Sequence, residues 1–181
     1  MIDISQILAL STIITQIAIL FLLLLILFRK KPSVKKILKI ISKESYKLIL
    51  AISLIATLGS LYYSEIKGFK PCTLCWYQRI FMYPLTIISL ISTIINDKKT
   101  QYHILTLSII GAMIAGYHYI AQITTLTVCS AQEVNCAITY STYFGYVTIP
   151  LMALTAFLLI IILSTINLIE KVRGHFPSLK G

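Results

Sequence analysis

Lys70-Pro71-Cys72-Thr73-Leu74-Cys75-Trp76-Tyr77-Gln78-Arg79 leads without a break into Ile80-Phe81-Met82-Tyr83-Pro84-Leu85 and on to Ile95. A short polar stretch thus delivers two cysteines to the mouth of an apolar run of roughly 20 residues, the length that crosses a hydrocarbon core about 30 Å thick. Four further runs approach that length: Ile7 to Phe28, Leu48 to Tyr63, Ile104 to Ile120 and Tyr146 to Ile169. The second and fourth of the five runs are the shortest, and both end in tyrosines that extend them into an interface. With 57% hydrophobic residues, 12% charged and a mean hydropathy of +0.87, the 181-residue chain is too apolar for a soluble domain. The expectation is an all-α integral membrane protein.

The formal charge of +10 does not point to nucleic acid, because the basic residues gather between apolar runs. Arg29, Lys30, Lys31, Lys35, Lys36, Lys39, Lys43 and Lys47 fill the first connection, Lys98 and Lys99 the third, and Lys171, Arg173 and Lys180 the tail. By the positive-inside rule these regions are cytoplasmic. The other two connections hold only Lys67 and Lys70, and they contain Cys72, Cys75, Cys129 and Cys136, every cysteine of the chain. All four thiols are therefore expected on the outer side, where disulfides persist. Met1-Ile2-Asp3-Ile4-Ser5 lacks the basic start of a secretory signal, and Arg29-Lys30-Lys31 reads as a stop-transfer sequence. The first run is expected to be a retained helix with its N-terminus outside and the C-terminus cytoplasmic.

Val34, Ile37, Leu38 and Ile41 lie on one helical face of the basic connector, with lysines on the other. An interfacial amphipathic helix and a solvated connector both fit this pattern. Gly111, Ala112, Ala115 and Gly116 form overlapping small-xxx-small pairs that let helix backbones approach closely. Pro84 and Pro150 fall inside the third and fifth runs, where each removes a backbone donor and is expected to kink its helix.

A Cys-x-x-Cys pair at a helix start favours the thiolate, since unpaired N–H groups and the positive dipole end face the sulfur. Arg79 follows Cys75 by four residues, on the same face, so its charge stabilises both a thiolate and negative charge developing on a reduced acceptor. An acceptor this close to lipid suggests a quinone rather than an aqueous molecule. By itself such an arginine also fits snorkelling to headgroups, and the cysteine spacing also fits a structural disulfide or half a zinc site. Cys129 and Cys136 bracket a polar stretch, Ser130 to Asn135, suited either to a shuttle that meets a soluble protein or to a staple. Four cysteines allow three pairings, and spacing does not choose among them. His103 and His175 are expected far from the thiols. His118 is expected level with Cys75 and Arg79, at a depth that permits a hydrogen bond to a quinone, although its flanking tyrosines also fit an aromatic belt.

The block from Cys72 to Leu85 closely resembles the active-site segment of DsbB-type disulfide-forming oxidases, nearest to the short branch called BdbC. Phe144-Gly145-Tyr146-Val147-Thr148-Ile149-Pro150-Leu151-Met152-Ala153-Leu154-Thr155-Ala156-Phe157 resembles the final helix of that branch. The resemblance implies a four-helix transmembrane bundle in a bacterial plasma (inner) membrane. It further implies oxidation of an extracytoplasmic DsbA-like thioredoxin-fold protein, with electrons delivered to a membrane quinone, ubiquinone or menaquinone. Cys72 and Cys75 match the quinone-side pair, and Cys129 and Cys136 the pair that meets the partner. Exchange then begins at Cys129, and Cys136 passes the bond to Cys72. Arg79 matches the quinone-side arginine, and His118 and Gln122 a histidine and glutamine near the quinone.

The expected organisation is an extra N-terminal transmembrane helix over residues 1–30, without counterpart in the four-helix pattern. A basic connector follows over 31–45, then the bundle over 46–170 and a tail over 171–181. The competing reading is a non-enzymatic membrane protein in which Cys72, Cys75, Cys129 and Cys136 form a tetrathiolate metal site. A scaffold whose loops are merely stapled by disulfides is the third.

Overall fold

The computed structural model describes residues 3–95, 100–124 and 135–175, with the side chains of 172–175 left aside. Cys129, Lys98, Lys99 and Lys180 lie outside the described residues. Among the described residues there are five helices long and apolar enough to cross a membrane: α1 (Ile4–Leu27), α2 (Pro32–Leu61), α3 (Thr73–Ile95), α4 (Thr100–Ile123) and α5 (Ile149–His175). Among the described residues the β-structure is a single isolated bridge.

Helices α2 to α5 close a ring, since α2 packs on α3, α3 on α4, α4 on α5 and α5 back on α2. This is a four-helix bundle, and α1 lies outside it against α5 and α2. The protein is thus an all-α multi-pass membrane bundle with one additional N-terminal helix. The core gathers on α5, where Phe157, Ile160, Leu163 and Ile166 repeat at three-residue spacing and pack with Ile49, Leu85, Ile104 and Ala115.

The basic segment before the second apolar run is not a separate element, because α2 runs from Pro32 through it. Pro32 opens the helix, a position whose backbone donor has no helical acceptor. Leu38 is buried and Val34 and Ile41 pack against the core, while Ile37 is exposed. At its far end α2 widens into one π-helical turn, Tyr62–Ile66, a distortion frequent next to functional sites.

Pro84 lies within α3, which continues unbroken to Ile95. Pro150, expected inside the fifth span, instead occupies the first turn of α5, where its missing N–H costs no hydrogen bond. The fifth helix starts at Ile149 and not at Tyr146, because Tyr143 and Val147 exchange two backbone hydrogen bonds of 2.9 Å each around a tight turn. That turn needs positive φ at Phe144 (52°) and Gly145 (80°), which glycine adopts freely.

The small residues of α4 are where α5 approaches most closely. A Cβ placed on Gly111 would stand against Cε1 and Cζ of Phe157, whose ring is fully buried. On Gly116 it would meet only Leu154 Cδ1, at 3.9 Å. Gly111→Ala is expected to destabilise the bundle by about 1–3 kcal/mol through overpacking, outweighing the gain of about 1 kcal/mol in helix propensity. Gly116→Ala keeps only that gain. Thermal unfolding in detergent checks the contrast, and equal midpoints for the two variants would contradict it.

Candidate active site

Cys72 immediately precedes α3 and Cys75 lies in its first turn, so both sulfurs sit at the positive end of the helix. Both are free thiols, with Sγ atoms 3.2 Å apart. Cys72 is buried, packed with Leu74 and Cys136, and Cys75 borders the same small cluster. When Cys72 is ionised, the Cys75 S–H can donate to it. That hydrogen bond first, and then His118, hold the Cys72 thiol well below its ordinary range, against the opposing effect of burial. The sign is clear: a lowered pKa keeps Cys72 as thiolate while pH falls through the usual thiol midpoint, about 8.5. Alkylation of the reduced protein at Cys72 is therefore expected to persist to distinctly lower pH. Cys75→Ala should move the midpoint up further than His118→Ala, and a wild-type midpoint at the ordinary thiol value would contradict this.

His118 is buried on α4 and joins the two cysteine regions. Its Nε2 is 3.1 Å from the backbone oxygen of Cys136 and 3.7 Å from Cys72 Sγ, while Nδ1 is 2.8 Å from Gln78 Nε2. A carbonyl only accepts, so Nε2 carries the proton. In the neutral ring Nδ1 then accepts from the Gln78 amide. Gln78, itself buried on α3, thereby sets both the tautomer and the ring orientation. Cys136 is disulfide-bonded, and Gln122 Nε2 donates to Ile138 O at 3.2 Å in the same loop.

On its other side Cys75 borders a cavity of about 210 Å³ enclosed by α1, α2, α3 and α5. Arg79 and Gln78 line it beside Cys75, and Met82, Tyr83, Ala156 and Phe157 line it more deeply. Arg79 donates from Nε to Ser60 Oγ at 3.0 Å and from Nη2 to Ser60 O at 3.1 Å, and its guanidinium lies 5.2 Å from the centre of the Trp76 ring. The described ion pairs are Lys47–Glu44 and Lys67–Asp3, so Arg79 has no carboxylate partner among the described residues. Stacked rings of Tyr63, Phe69 and Tyr140, with centroids 5.9 and 4.8 Å apart, also line the cavity. The Tyr140 hydroxyl ties that stack to Lys70 O at 3.0 Å.

The candidate residues therefore divide into two groups that share Cys75. Cys75 and Arg79 border the large cavity, while Cys72, Cys75, His118 and Gln122 border a second, smaller cleft. His118 and Gln122 are not beside Arg79, and Cys129 lies outside the described residues. Among the described residues, the metal-type donors that come together are Cys72, Cys75 and His118, within 4.8 Å of one another. Gln78, Ser60 and the stacked aromatic rings join these residues without a motif of their own. Gln78 alone carried a signal, as a polar residue in the first turns of an apolar helix.

A vicinal dithiol at the end of a helical membrane bundle, packed against a second cysteine that is disulfide-bonded, defines a membrane disulfide-forming oxidoreductase. The family described as "Disulfide bond formation protein DsbB" matches residues 42–167, and the chain belongs to that family. It is similar to "Disulfide bond formation protein C" of Bacillus subtilis (strain 168), 48% identical over 115 residues, covering 61% of this chain and 83% of that protein. The "SPbeta prophage-derived disulfide bond formation protein B" of the same organism is 45% identical over 120 residues, covering 65% and 81%. A "Probable disulfide formation protein" of Metapseudomonas resinovorans is 40% identical over 116 residues, covering 62% and 81%. No solved structure matches the chain.

Proposed function

We propose that this protein is a protein-dithiol:quinone oxidoreductase of a bacterial plasma membrane, which reoxidises an extracytoplasmic DsbA-like thioredoxin-fold protein. The observation that carries the reading is the double position of Cys75, which borders both the cleft of Cys72 and His118 and the cavity of Arg79. A dithiol so placed receives electrons on one side and releases them on the other. The distribution of basic residues supports the orientation, with both cysteine loops and the N-terminus outside and the C-terminus cytoplasmic.

The residues of the large cavity suit a quinone, ubiquinone or menaquinone. Its walls are mainly apolar, and among the described residues Arg79 has no acidic partner and the buried Tyr83 hydroxyl no hydrogen-bond partner. Arg79 and Tyr83 would hold the carbonyl oxygens, with Cys75 facing the ring. When bound, the quinone supplies an acceptor for two electrons and two protons.

The protein's own part is thiol–disulfide exchange. The partner's thiolate attacks Cys129 Sγ of the outer disulfide, and the partner's second thiol resolves that bond, leaving the partner oxidised and Cys129 and Cys136 reduced. The Cys136 thiolate then attacks Cys72 Sγ of the inner disulfide, and Cys75 leaves as a thiolate next to Arg79. Cys129 attacks Cys136 Sγ, restoring the outer disulfide and releasing Cys72. Net, the outer pair is oxidised and the inner pair holds the electrons, in keeping with free thiols at Cys72 and Cys75 and a disulfide-bonded Cys136. His118, fixed between Cys136 O and Cys72, steadies the sulfur that is attacked. His118 and Gln122 thus serve the exchange side.

Anaerobic mixing of purified protein with quinone and a reduced thioredoxin-fold dithiol tests the reading. One quinol is expected for each partner disulfide formed. Partner oxidation without quinol, or none of either, would overturn it.

A further inference from the structure

The helix that the family match leaves out contributes directly to the acceptor cavity. The match begins at residue 42, yet Leu8, Ser11, Thr12 and Thr15 of α1 border the same cavity as Cys75 and Arg79. We propose that α1 is a wall of the acceptor site, and that the face formed by Leu8, Ser11, Thr12 and Thr15 decides which quinone head group fits there. The inference rests on the quinone reading of this cavity.

Three independent observations carry it. The first is the polarity of α1 around its circumference. Ile7, Leu10, Ile14 and Ile17 are 52–63% exposed and suit lipid, whereas Ser5, Ala9 and Thr12 are buried. In a membrane helix hydroxyls turn inward, and here the inward stripe turns toward the cavity. The hydroxyl protons of Ser11 and Thr12 go to Leu8 O, at 2.7 and 2.9 Å, and that of Thr15 to Ser11 O at 2.8 Å, so these three hydroxyls are satisfied within the helix.

Second, α1 is fastened and not merely adjacent. Asp3 pairs with Lys67 at 2.7 Å and accepts from the Tyr62 hydroxyl at 3.0 Å, and these two partners hold the Asp3 carboxyl down at about 2. About one helical turn beyond Thr12, Gln16 Oε1 accepts from the Tyr146 hydroxyl, at 2.8 Å, from the turn before α5. The helix is thus tied to α2 at one point and to the α5 turn at another.

Third, α1 seats on a glycine. A Cβ on Gly59 would lie 3.3 Å from Leu8 Cδ2, a tight fit that brings Leu8 to the level of Ser60, the residue that holds Arg79. Because α1 packs on both α2 and α5, and all three line the cavity, α1 lies across the side that would otherwise open to lipid. A wall there restricts the width available to a ring beside Cys75.

Two measurements that do not depend on turnover test this. Trp76 is the chain's one tryptophan and stacks near Arg79, so saturable quenching of its fluorescence reports quinone binding. Thr12→Phe projects a ring into the cavity and is expected to raise the dissociation constant of a bicyclic naphthoquinone about tenfold or more, and that of a monocyclic benzoquinone less. In the wild-type protein, a photoreactive azido-quinone displaceable by excess quinone is expected to label the peptide carrying residues 4–15. Displaceable label confined to α2, α3 and α5, or both constants within twofold of wild type in Thr12→Phe, would overturn the wall. If wild-type protein gives neither saturable quenching nor displaceable label, it is the quinone reading that fails.

Discussion

Cys75→Ser is expected to lower quinone-linked oxidation of the partner by roughly three orders of magnitude or more. Serine cannot form the inner disulfide, and its alkoxide is far too basic to leave when Cys72 is attacked. The position allows no substitute, because Cys75 alone among the described cysteines borders the Arg79 cavity. A single stoichiometric oxidation of the partner by the outer disulfide survives, since that step uses Cys129 and Cys136. Quinol formation under anaerobic conditions measures the first effect, and the partner's thiol titre after one equivalent measures the second. Turnover within tenfold of wild type would remove Cys75 from the path.

Arg79→Met ranks second, with an expected fall of roughly a hundredfold in turnover. Removing one preorganised group aimed at developing negative charge typically costs 10²–10³-fold, and partial exposure places this site toward the low end. Methionine retains an apolar stem against Met82 and the cavity but removes the charge and both hydrogen bonds to Ser60. Arg79→Lys keeps a charge without the two-pronged grip and should fall between. Ser60→Ala, which only loosens the guanidinium, should lose less than either. The ordering Met, then Lys, then Ala is read from quinol formation rates, and an Arg79→Met variant indistinguishable from wild type would contradict it.

What could be read in advance follows from which forces act along the chain and which act across it. Apolar run length is a property of consecutive residues, so five spans and the flanking lysines were legible, as was the i to i+4 relation of Cys75 and Arg79. Rotation of one helix against another is not written that way. Sequence gives the depth of His118 along α4, but the direction it faces depends on Gly111 seating on Phe157, and this turns it to Cys72 and Gln78 and away from Arg79. Gln78 and His118 are 40 residues apart in the chain, and Ser60 and Arg79 are 19 apart. Each pair becomes visible only once the ring of helices closes. The hydroxyls of α1 were in plain sight as well, but serine and threonine in an apolar helix satisfy themselves on their own backbone, which conceals any preferred face. Pro150 stands in the first turn of α5 and not inside a span for a local reason, the tight turn at Phe144 and Gly145 that delays the start of the helix.

The central claim is that electrons pass between the two cysteine regions through the buried contact of Cys72, His118 and Cys136. The most direct test is acid-quenched disulfide mapping of the wild-type protein during a single turnover with reduced partner. A Cys72–Cys136 disulfide that rises and decays before the Cys72 and Cys75 dithiol accumulates is the predicted result. Reduction of the inner pair at the full rate with that bond never forming would contradict the account.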